Sequence, residues 1–249
     1  MVSKGVLVAL LKTIAAFAIT IFTILIFTPF GFVFFVLSFL GLRKPMSWPT
    51  YKIAQGWARC IIFITGCTME VEGRENIPSR GSVCFVSNHV GLFDIVLALA
   101  YAGRPFGFVA KKELLFLPFI NMWISMLGGL YIDRKNIRKA VKTINLGIEK
   151  LQNGWNMLIF PEGTRSKGRG LLPFRSGAVK LATNSLAPIV PIAITGSYDV
   201  FEKDYRVHAA MIRMVFCPVI KTAEMSSDDR RHKLADQVRS VIEAALNKP

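Results

Sequence analysis

The sequence of 249 residues predicts an α/β fold: a mixed, largely parallel sheet flanked by helices, preceded by an N-terminal membrane-embedded hairpin of two helices. Two observations support this prediction. Beyond residue 50, short apolar runs alternate with helical segments, as in sheets whose strands are joined by crossover helices. Residues 13–42 contain no charged side chain, which is typical of chain inside a bilayer. We therefore assign residues 1–45 to the hairpin and residues 46–249 to the α/β domain.

The N-terminal apolar stretch is divided near its middle by Pro29 and Gly31. Each half, of roughly 16 and 12 residues, is shorter than the ~20 needed to span a bilayer. Because proline interrupts a helix, we expect a turn at residues 28–32 and a hairpin over residues 5–42 that enters one leaflet. Positive residues at both ends place both on the cytoplasmic face of the inner membrane, so we expect a monotopic protein. These residues are Lys4, Lys12, Arg43 and Lys44. The alternative is a single spanning helix over residues 13–33.

The elements of the α/β domain follow in chain order. We expect a polar linker, "RKPMSWPTYK", then a helix at 52–66 and seven strands, in "CTMEVEG", "VCFVS", "FGFVA", "LYID", "MLIF", "IVPIAIT" and "IRMVFCPV". Helices are expected near 94–102, 115–127, 137–153 and 174–185, and a last one where apolar residues recur at helical spacing from Leu234 to Ala245. Pro191 lies inside a strand and lacks an N–H group, which predicts a bulge or an edge position there.

The charge balance narrows the classes of ligand. Lys and Arg number 31 against 16 Asp and Glu, a net charge of +15, which favours anionic partners such as a membrane surface or phosphorylated ligands. Nucleic acid is not expected, because the sequence has no helix-turn-helix, zinc-finger or RNA-binding motif. The four cysteines form no CxxC pair, which predicts free thiols on a reducing, cytosolic side. The three histidines are scattered and no HExxH occurs, so we expect no metal site.

The stretch "SNHVGLFDIV" sets His89 and Asp94 five residues apart. Their side chains would diverge on a continuous helix. Here a strand ends near Ser87 and a helix begins at Asp94, so the turn between them can bring the pair together. A carboxylate bonded to one ring nitrogen fixes the tautomer and makes the other nitrogen a better base for an alcohol proton. The alternative is a plain turn histidine beside a carboxylate that stabilises a helix N-terminus.

Basic and glycine-containing loops follow other predicted strands. "LIFPEGTRSKGRG" offers Gly163 for close backbone approach, and the planar guanidinium of Arg165 suits a phosphate. "GGLYIDRKN" supplies Arg134, and "FVAKKELLFLP" supplies Lys111 beside Lys112. Ion pairs within the chain, Glu162 with Arg165 or Asp133 with Arg134, are the alternative for these loops. With the apolar N-terminus, the loops predict an amphiphilic, phosphorylated substrate.

Four blocks of the sequence carry a family resemblance. They are "NHVGLFD" at 88–94, "GGLYIDR" at 128–134, "FPEGTRS" at 160–166 and "IVPIAI" at 189–194. In this order they resemble the glycerolipid acyltransferases with a His-x4-Asp motif, and within that family the 1-acyl-sn-glycerol-3-phosphate (lysophosphatidic acid) acyltransferases. The resemblance covers about residues 50–220. Tyr131 stands where many members carry phenylalanine.

The resemblance implies a reaction and a role for each matching residue. A fatty acyl group would move from acyl-CoA or acyl carrier protein to the sn-2 hydroxyl of lysophosphatidic acid, giving phosphatidic acid, with no cofactor besides the thioester co-substrate. His89 would be the general base and Asp94 its orienting partner. The implied substrate-binding residues are Lys111, Arg134, Glu162, Gly163, Thr164 and Arg165. Anionic membrane lipids are expected partners. The alternatives are another lysolipid acceptor, such as a lyso-ornithine lipid, or a non-catalytic membrane protein that binds anionic lipid.

Overall fold

A seven-stranded sheet forms the centre of the structure, a computed structural model that describes residues 4–248. Residues 1–3 and 249, the ends of the two predicted domains, lie outside the described residues. The strands are β1 (Thr68–Glu72), β2 (Cys84–Ser87), β3 (Gly107–Lys111), β4 (Leu130–Ile132), β5 (Met157–Ile159), β6 (Ile189–Thr195) and β7 (Met211–Phe216). Their order is β1-β7-β6-β2-β5-β3-β4. Only the β6–β7 pair among these is antiparallel, which confirms the predicted mixed, largely parallel sheet.

Helices cover both faces of this sheet. They are α1 (Lys4–Leu37), α2 (Arg43–Thr65), α3 (Phe93–Tyr101), α4 (Ile120–Met126), α5 (Ile137–Gln152), α6 (Ser176–Ser185), α7 (Ser227–His232) and α8 (Leu234–Leu246). Alternate side chains of each strand enter opposite cores: Phe85 of β2 joins one core, and its neighbours Cys84 and Val86 join the other. The first core contains side chains of α1, α2 and α3, and the second contains those of α5, α6 and α8.

The hairpin predicted within residues 5–42, with its turn at 28–32, is wrong: this stretch is almost entirely the single helix α1, and the hairpin that forms joins α1 to α2. α1 continues through Pro29. The proline removes one hydrogen bond of this long helix, and the hydrogen bonds of the turns on either side keep the helix continuous. The chain reverses instead at Ser38–Leu42, where Gly41 has φ 80°, a left-handed conformation that glycine adopts without strain. Within residues 4–248, one helix is long and apolar enough to cross a membrane, over Gly5–Leu37.

The second arm of the hairpin is α2, which begins inside the predicted linker. Lys12 Nζ donates a hydrogen bond to the Thr65 carbonyl at 2.9 Å, so the start of α1 lies beside the end of α2 and the two helices are antiparallel. Tyr51, Ala54 and Ala58 of α2 are buried in the first core of the α/β domain. The boundary predicted at residue 45 therefore falls inside a helix that belongs to both the hairpin and the domain.

The remaining helices differ from the prediction in detail. The helix expected at 115–127 is a 3₁₀ turn, Lys112–Phe116, followed by the short α4. The C-terminal helix is divided into α7 and α8 at Lys233. The helices expected at 94–102, 137–153 and 174–185 lie within two residues of α3, α5 and α6.

Pro191 lies in a central strand, so the predicted edge position is wrong. The Pro191 carbonyl accepts a hydrogen bond from Cys217 N at 2.8 Å, so its missing N–H also faces the β7 side. Ile192 pairs with Phe216, whereas Ile189 pairs with Ile220. Three residue steps along β6 thus oppose four steps along β7 and the segment after it. This change of register is a bulge, and Pro191 lies within it, where its missing N–H removes no regular hydrogen bond between the strands.

Candidate active site

The site lies where β2 and β5 end side by side. These strands are parallel neighbours, so the segments after them, which carry His89 and the 160–166 block, leave the same edge of the sheet. The backbones of the two segments are hydrogen-bonded: Ser166 N donates to the His89 carbonyl at 2.7 Å, and Lys167 N donates to the Val90 carbonyl at 3.1 Å. The strand-to-helix turn and the glycine-containing loop therefore form one rigid unit.

The structure brings His89 and Asp94 together across the turn before α3. His89 Nδ1 lies 2.7 Å from Asp94 Oδ2. The same oxygen accepts hydrogen bonds from Val90 N at 2.7 Å and Gly91 N at 3.0 Å. Asp94 is fully buried, so these donors replace the water that an ionised carboxylate needs. These hydrogen bonds hold the carboxylate against the Nδ1 atom of the imidazole ring.

The other ring nitrogen of His89 is the available base. Because Nδ1 donates to a carboxylate, the neutral ring carries its proton there, and Nε2 has a free lone pair. The ring stacks on Phe160, with centroids 4.0 Å apart and planes 18° from parallel. The side chain is 17% exposed. Packing fixes the plane of the ring, and part of the side chain remains exposed.

Two residues without a predicted role complete this arrangement. The Ser197 hydroxyl donates to Asp94 Oδ1, the carboxylate oxygen that His89 does not use. Asn88 bridges β2 to β6: its Nδ2 donates to the Ile194 carbonyl and its Oδ1 accepts from Ile194 N, both at 2.8 Å. Both positions lie in or just after quoted blocks, but a contact between residues more than a hundred positions apart has no local sequence signal.

Glu162, predicted to bind substrate, accepts two backbone hydrogen bonds within the site. Its Oε1 accepts from His89 N at 2.7 Å and its Oε2 from Leu172 N at 3.1 Å. The residue is 2% exposed. Burial raises the pKa of its carboxyl above the ordinary value, and the hydrogen bonds from the His89 and Leu172 amides oppose this. Both carboxylate oxygens are thus occupied by protein.

Arg165 pairs with Glu202, so the proposed pairing with Glu162 is absent. Arg165 Nη1 donates to Glu202 Oε1, and Glu202 Oε2 accepts from Leu92 N. Thr164 is exposed. Gly163 has φ 66°, and a Cβ atom there would lie 2.7 Å from the Arg175 side chain. The loop therefore needs glycine for its conformation and for the space that Arg175 occupies.

Three guanidinium groups converge beside this loop. The pKa of Arg134, which follows β4, lies below its ordinary value, first because surrounding protein removes water and then because the charges of Arg175 and Arg165 lie near; Glu113 acts in the opposite direction. Arg175, which the sequence analysis did not predict as a site residue, is the last residue before α6, and its Nε donates to the Glu162 carbonyl at 3.2 Å. Clustered arginines of this kind suit a multiply charged anion such as a phosphate ester.

The predicted lysine lies at the edge of the cluster. Lys111, at the end of β3, is exposed, and its Nζ lies 3.6 Å from Glu113. Its neighbour Lys112 donates to Asp133 at 2.8 Å, so Asp133 is paired with Lys112 and the proposed Asp133–Arg134 pair is not formed. This bond raises the pKa of Lys112 and lowers that of Asp133. Arg134 is thereby left for an external anion.

No group of three or more His, Cys, Asp or Glu side chains in the described part of the chain is arranged to hold a metal ion. All four cysteines are free thiols, and burial raises the pKa of Cys84 to about 12.

Comparison with known proteins decides the family. The family model described as Acyltransferase matches residues 68–195, more than half of the chain. The chain belongs to the acyltransferase family. This acyltransferase is 32% identical over 182 residues to the 1-acyl-sn-glycerol-3-phosphate acyltransferase of Escherichia coli K12, covering 73% of this chain and 74% of that protein. The protein of the same name from Borreliella burgdorferi is 26% identical over 186 residues, again covering 73% and 74%.

A solved structure agrees over almost the whole acyltransferase chain. The crystal structure of the 1-acyl-sn-glycerophosphate (LPA) acyltransferase PlsC from Thermotoga maritima has a TM-score of 0.80 and 26% sequence identity, covering 95% of this chain and 93% of that one. The match therefore includes the N-terminal helices, and the resemblance based on the four sequence blocks is confirmed. The family model ends at residue 195 and so does not reach Ser197 or Glu202.

Proposed function

We propose that this acyltransferase moves a fatty acyl group from an acyl thioester to the sn-2 hydroxyl of lysophosphatidic acid, giving phosphatidic acid. One observation carries the proposal: His89, bonded through Nδ1 to Asp94 and 17% exposed, is linked through Glu162 to Arg175, and the charges of Arg175 and Arg165 lie near Arg134. This acceptor requires a base for its hydroxyl group and positively charged side chains for its phosphate. The proteins that this chain resembles, from Escherichia coli and Thermotoga maritima, are named for the same acceptor.

The chemistry follows from the His89–Asp94 pair. Nε2 takes the proton of the sn-2 hydroxyl as its oxygen attacks the thioester carbonyl, and a tetrahedral oxyanion forms. The carbon–sulfur bond then breaks, the thiolate leaves, and the imidazolium returns its proton to the sulfur. Asp94 stabilises the imidazolium between these steps. Such general-base assistance accelerates a reaction by about 10² to 10⁴. No group remains on the enzyme, so the thioester is a co-substrate and no cofactor takes part.

The arginines would hold the phosphate of the acceptor. Arg134 follows β4, whereas Arg165 and Arg175 lie in the connection between β5 and α6, so a phosphate bound among them meets donors from two segments of the chain. Fixing the phosphate places the glycerol hydroxyl near His89, and such orientation accounts for much of the rate gain in bimolecular reactions. Glycolipid or zwitterionic acceptors would make less use of these charges.

The mode of membrane attachment is part of the proposal. α1 turns one side towards the domain, where Ala9 is buried and Ile19 packs on the first core. Its other side is an exposed apolar stripe that includes Phe22, Leu25 and Phe32. A helix lying along the domain in this way supports monotopic insertion into the cytoplasmic leaflet, next to anionic lipid headgroups, rather than a single spanning helix. Acyl-CoA and acyl carrier protein are both proposed donors.

The function is tested with the purified, detergent-solubilised full chain. Lysophosphatidic acid is incubated with labelled acyl-CoA or acyl carrier protein thioester, using wild type, His89→Ala and His232→Ala. His232 is an exposed histidine on α7 that pairs with Asp228, and it serves as the matched control. We expect phosphatidic acid from wild type and the control, and a loss of at least about 10² in rate for His89→Ala.

Other outcomes would contradict separate parts of the proposal. Equal rates for wild type and His89→Ala would exclude His89 as the base. Turnover of another lysolipid, with none of lysophosphatidic acid, would change the acceptor. No product with either donor and any lysolipid would favour the non-catalytic lipid-binding alternative.

A further inference from the structure

Glu202 connects the two halves of the site, although it lies outside all four sequence blocks. It follows the 3₁₀ turn Ser197–Val200 in the connection between β6 and β7. One carboxylate oxygen accepts from Arg165 Nη1, and the other accepts from Leu92 N in the turn that carries His89. Its side chain is 8% exposed. Burying a carboxylate without partners would be strongly unfavourable, so these two hydrogen bonds allow Glu202 to be buried.

The approach of Glu202 depends on a glycine in the His89 turn. A Cβ atom at Gly91 would lie 2.6 Å from Glu202 Oε2. Only the absence of a side chain at this position lets the carboxylate reach the Leu92 amide. The turn and the β6–β7 connection therefore fit each other closely.

Arg165 needs a partner to stay in place. Its side chain is 35% exposed, and the like charge of Arg134 lies near it. A flexible arginine in this setting would turn towards solvent. The bond to Glu202 uses Nη1, and the structure gives Arg165 no second hydrogen bond within residues 4–248. This single hydrogen bond therefore sets the direction of the other N–H groups of the guanidinium.

We propose that Glu202 is a positioning residue: it holds the Arg165 guanidinium where the fork meets the phosphate of the acceptor, and so determines the preference for a phosphorylated acceptor. This inference rests on the proposed function. Glu202 does not touch the reacting atoms and takes no proton.

Two effects of the carboxylate oppose each other. Its negative charge weakens the field of the arginine cluster, whereas its hydrogen bond fixes one member of that cluster. Positioning outweighs charge, because two further arginines supply positive field and because a bidentate guanidinium–phosphate contact is lost when the fork rotates. Removing the charge of Glu202 should therefore weaken phosphate binding.

The test separates the two contacts of Glu202. In Glu202→Gln the amide oxygen still accepts from Leu92 N, but the amide nitrogen is a donor and cannot hold Arg165. We expect the KM for lysophosphatidic acid to rise about tenfold, as for the loss of one hydrogen bond between charged groups, with kcat within about twofold of wild type. Glu224→Gln is the matched control, because Glu224 is exposed and pairs with Lys221 far from the site. Its KM should not change.

A double-mutant cycle identifies Arg165 as the route. Once Arg165→Ala has removed the guanidinium, adding Glu202→Gln should change KM by less than about twofold. Glu202→Asp keeps the charge with a side chain one methylene shorter, and its KM should be intermediate. It is the variant to use if Glu202→Gln does not fold.

The outcomes distinguish this inference from the proposed function. Failure of wild type to use lysophosphatidic acid would refute the function itself. With wild type active, a KM that falls in Glu202→Gln would show that charge outweighs positioning, and the inference would be wrong. A loss of kcat with unchanged KM, or effects of Glu202→Gln and Arg165→Ala that multiply, would assign Glu202 a general structural role instead.

Discussion

At the residue scale, two buried carboxylates support His89 in different ways. Asp94 contacts the ring of His89 and sets its tautomer. Glu162 contacts the backbone amide of His89 and ties it to the segment around Leu172. The first role is chemical and the second architectural. Substitution at the two positions should therefore affect different measurements.

Glu162→Gln should lower stability. A glutamine offers one acceptor and one donor where the structure presents two N–H donors, so either the His89 or the Leu172 amide is left buried without a partner. Such a group costs about 1–3 kcal/mol, and each kcal/mol lowers the Tm of a chain of this size by about 2–4 °C. Thermal unfolding measures the change. Glu243→Gln, on the exposed side of α8, should leave Tm unaltered.

The stability difference should also depend on pH. Because burial raises the pKa of Glu162, the folded protein binds this proton more tightly than the unfolded chain does. Its contribution is therefore complete below the ordinary glutamate range and is lost as pH rises through the raised value. The gap between wild type and Glu162→Gln should narrow over that window. A gap that widens there would contradict the assigned direction.

At the scale of elements, the loop after β5 depends on glycine at a position that touches Arg175. Gly163→Ala would place a methyl group 2.7 Å from Arg175 Cδ and Nε and would also strain a backbone with φ 66°. Gly170 also has a positive φ, 84°, but a Cβ there would meet nothing within 4 Å. Comparing alanine substitutions at these two glycines therefore separates the effect of backbone strain from the effect of displacing Arg175.

Gly163→Ala should raise the KM for lysophosphatidic acid by about tenfold, since a displaced Arg175 removes one charged contact to the phosphate. Gly170→Ala should change KM little, while both variants lose about 1 kcal/mol of stability or more through strain. Steady-state kinetics and thermal unfolding on both proteins provide the check. Equal KM values for the two variants would show that Arg175 does not contact the acceptor.

At the scale of the whole molecule, the sheet separates two faces, and we expect the face that carries α1 to meet the membrane. α1, with its exposed apolar stripe, packs on the core that faces α2 and α3. α5 and its exposed Ile137 lie on the opposite face. The orientation of the protein on a bilayer follows from this division. It can be tested with single charges placed on either face.

Phe22→Asp combined with Leu25→Asp should release the protein from vesicles. Both side chains are 63% exposed on α1, and an aspartate within a bilayer costs about 2.5–3.5 kcal/mol. Ile137→Asp, at a residue 79% exposed on α5, should leave binding unchanged. Co-sedimentation with vesicles measures both. Release by Ile137→Asp would place the membrane on the other face of the sheet.

The sequence predicted what depends on neighbours along the chain. Apolar runs marked the seven strands, and a strand end followed by a helix start placed His89 against Asp94. It did not predict Glu202 or Ser197. Their partners lie 37 and 103 positions away, and no local signal distinguishes these residues from other loop carboxylates and hydroxyls. The hairpin turn was misplaced because proline is a stronger local signal than Gly41, although only the glycine adopts a left-handed conformation.

The connection between β6 and β7 has a consequence for making a soluble form of the enzyme. Phe201 packs edge-on against Phe17 of α1, with centroids 6.1 Å apart, and Val207 N donates to Thr13 Oγ1 at 2.8 Å. The next residue after Phe201 is the carboxylate that anchors Arg165. Trimming α1 to improve expression would leave all four sequence blocks intact, yet it would remove the Phe17 and Thr13 contacts that support the connection carrying Glu202. A soluble form of the enzyme should therefore keep α1 at least through Phe17.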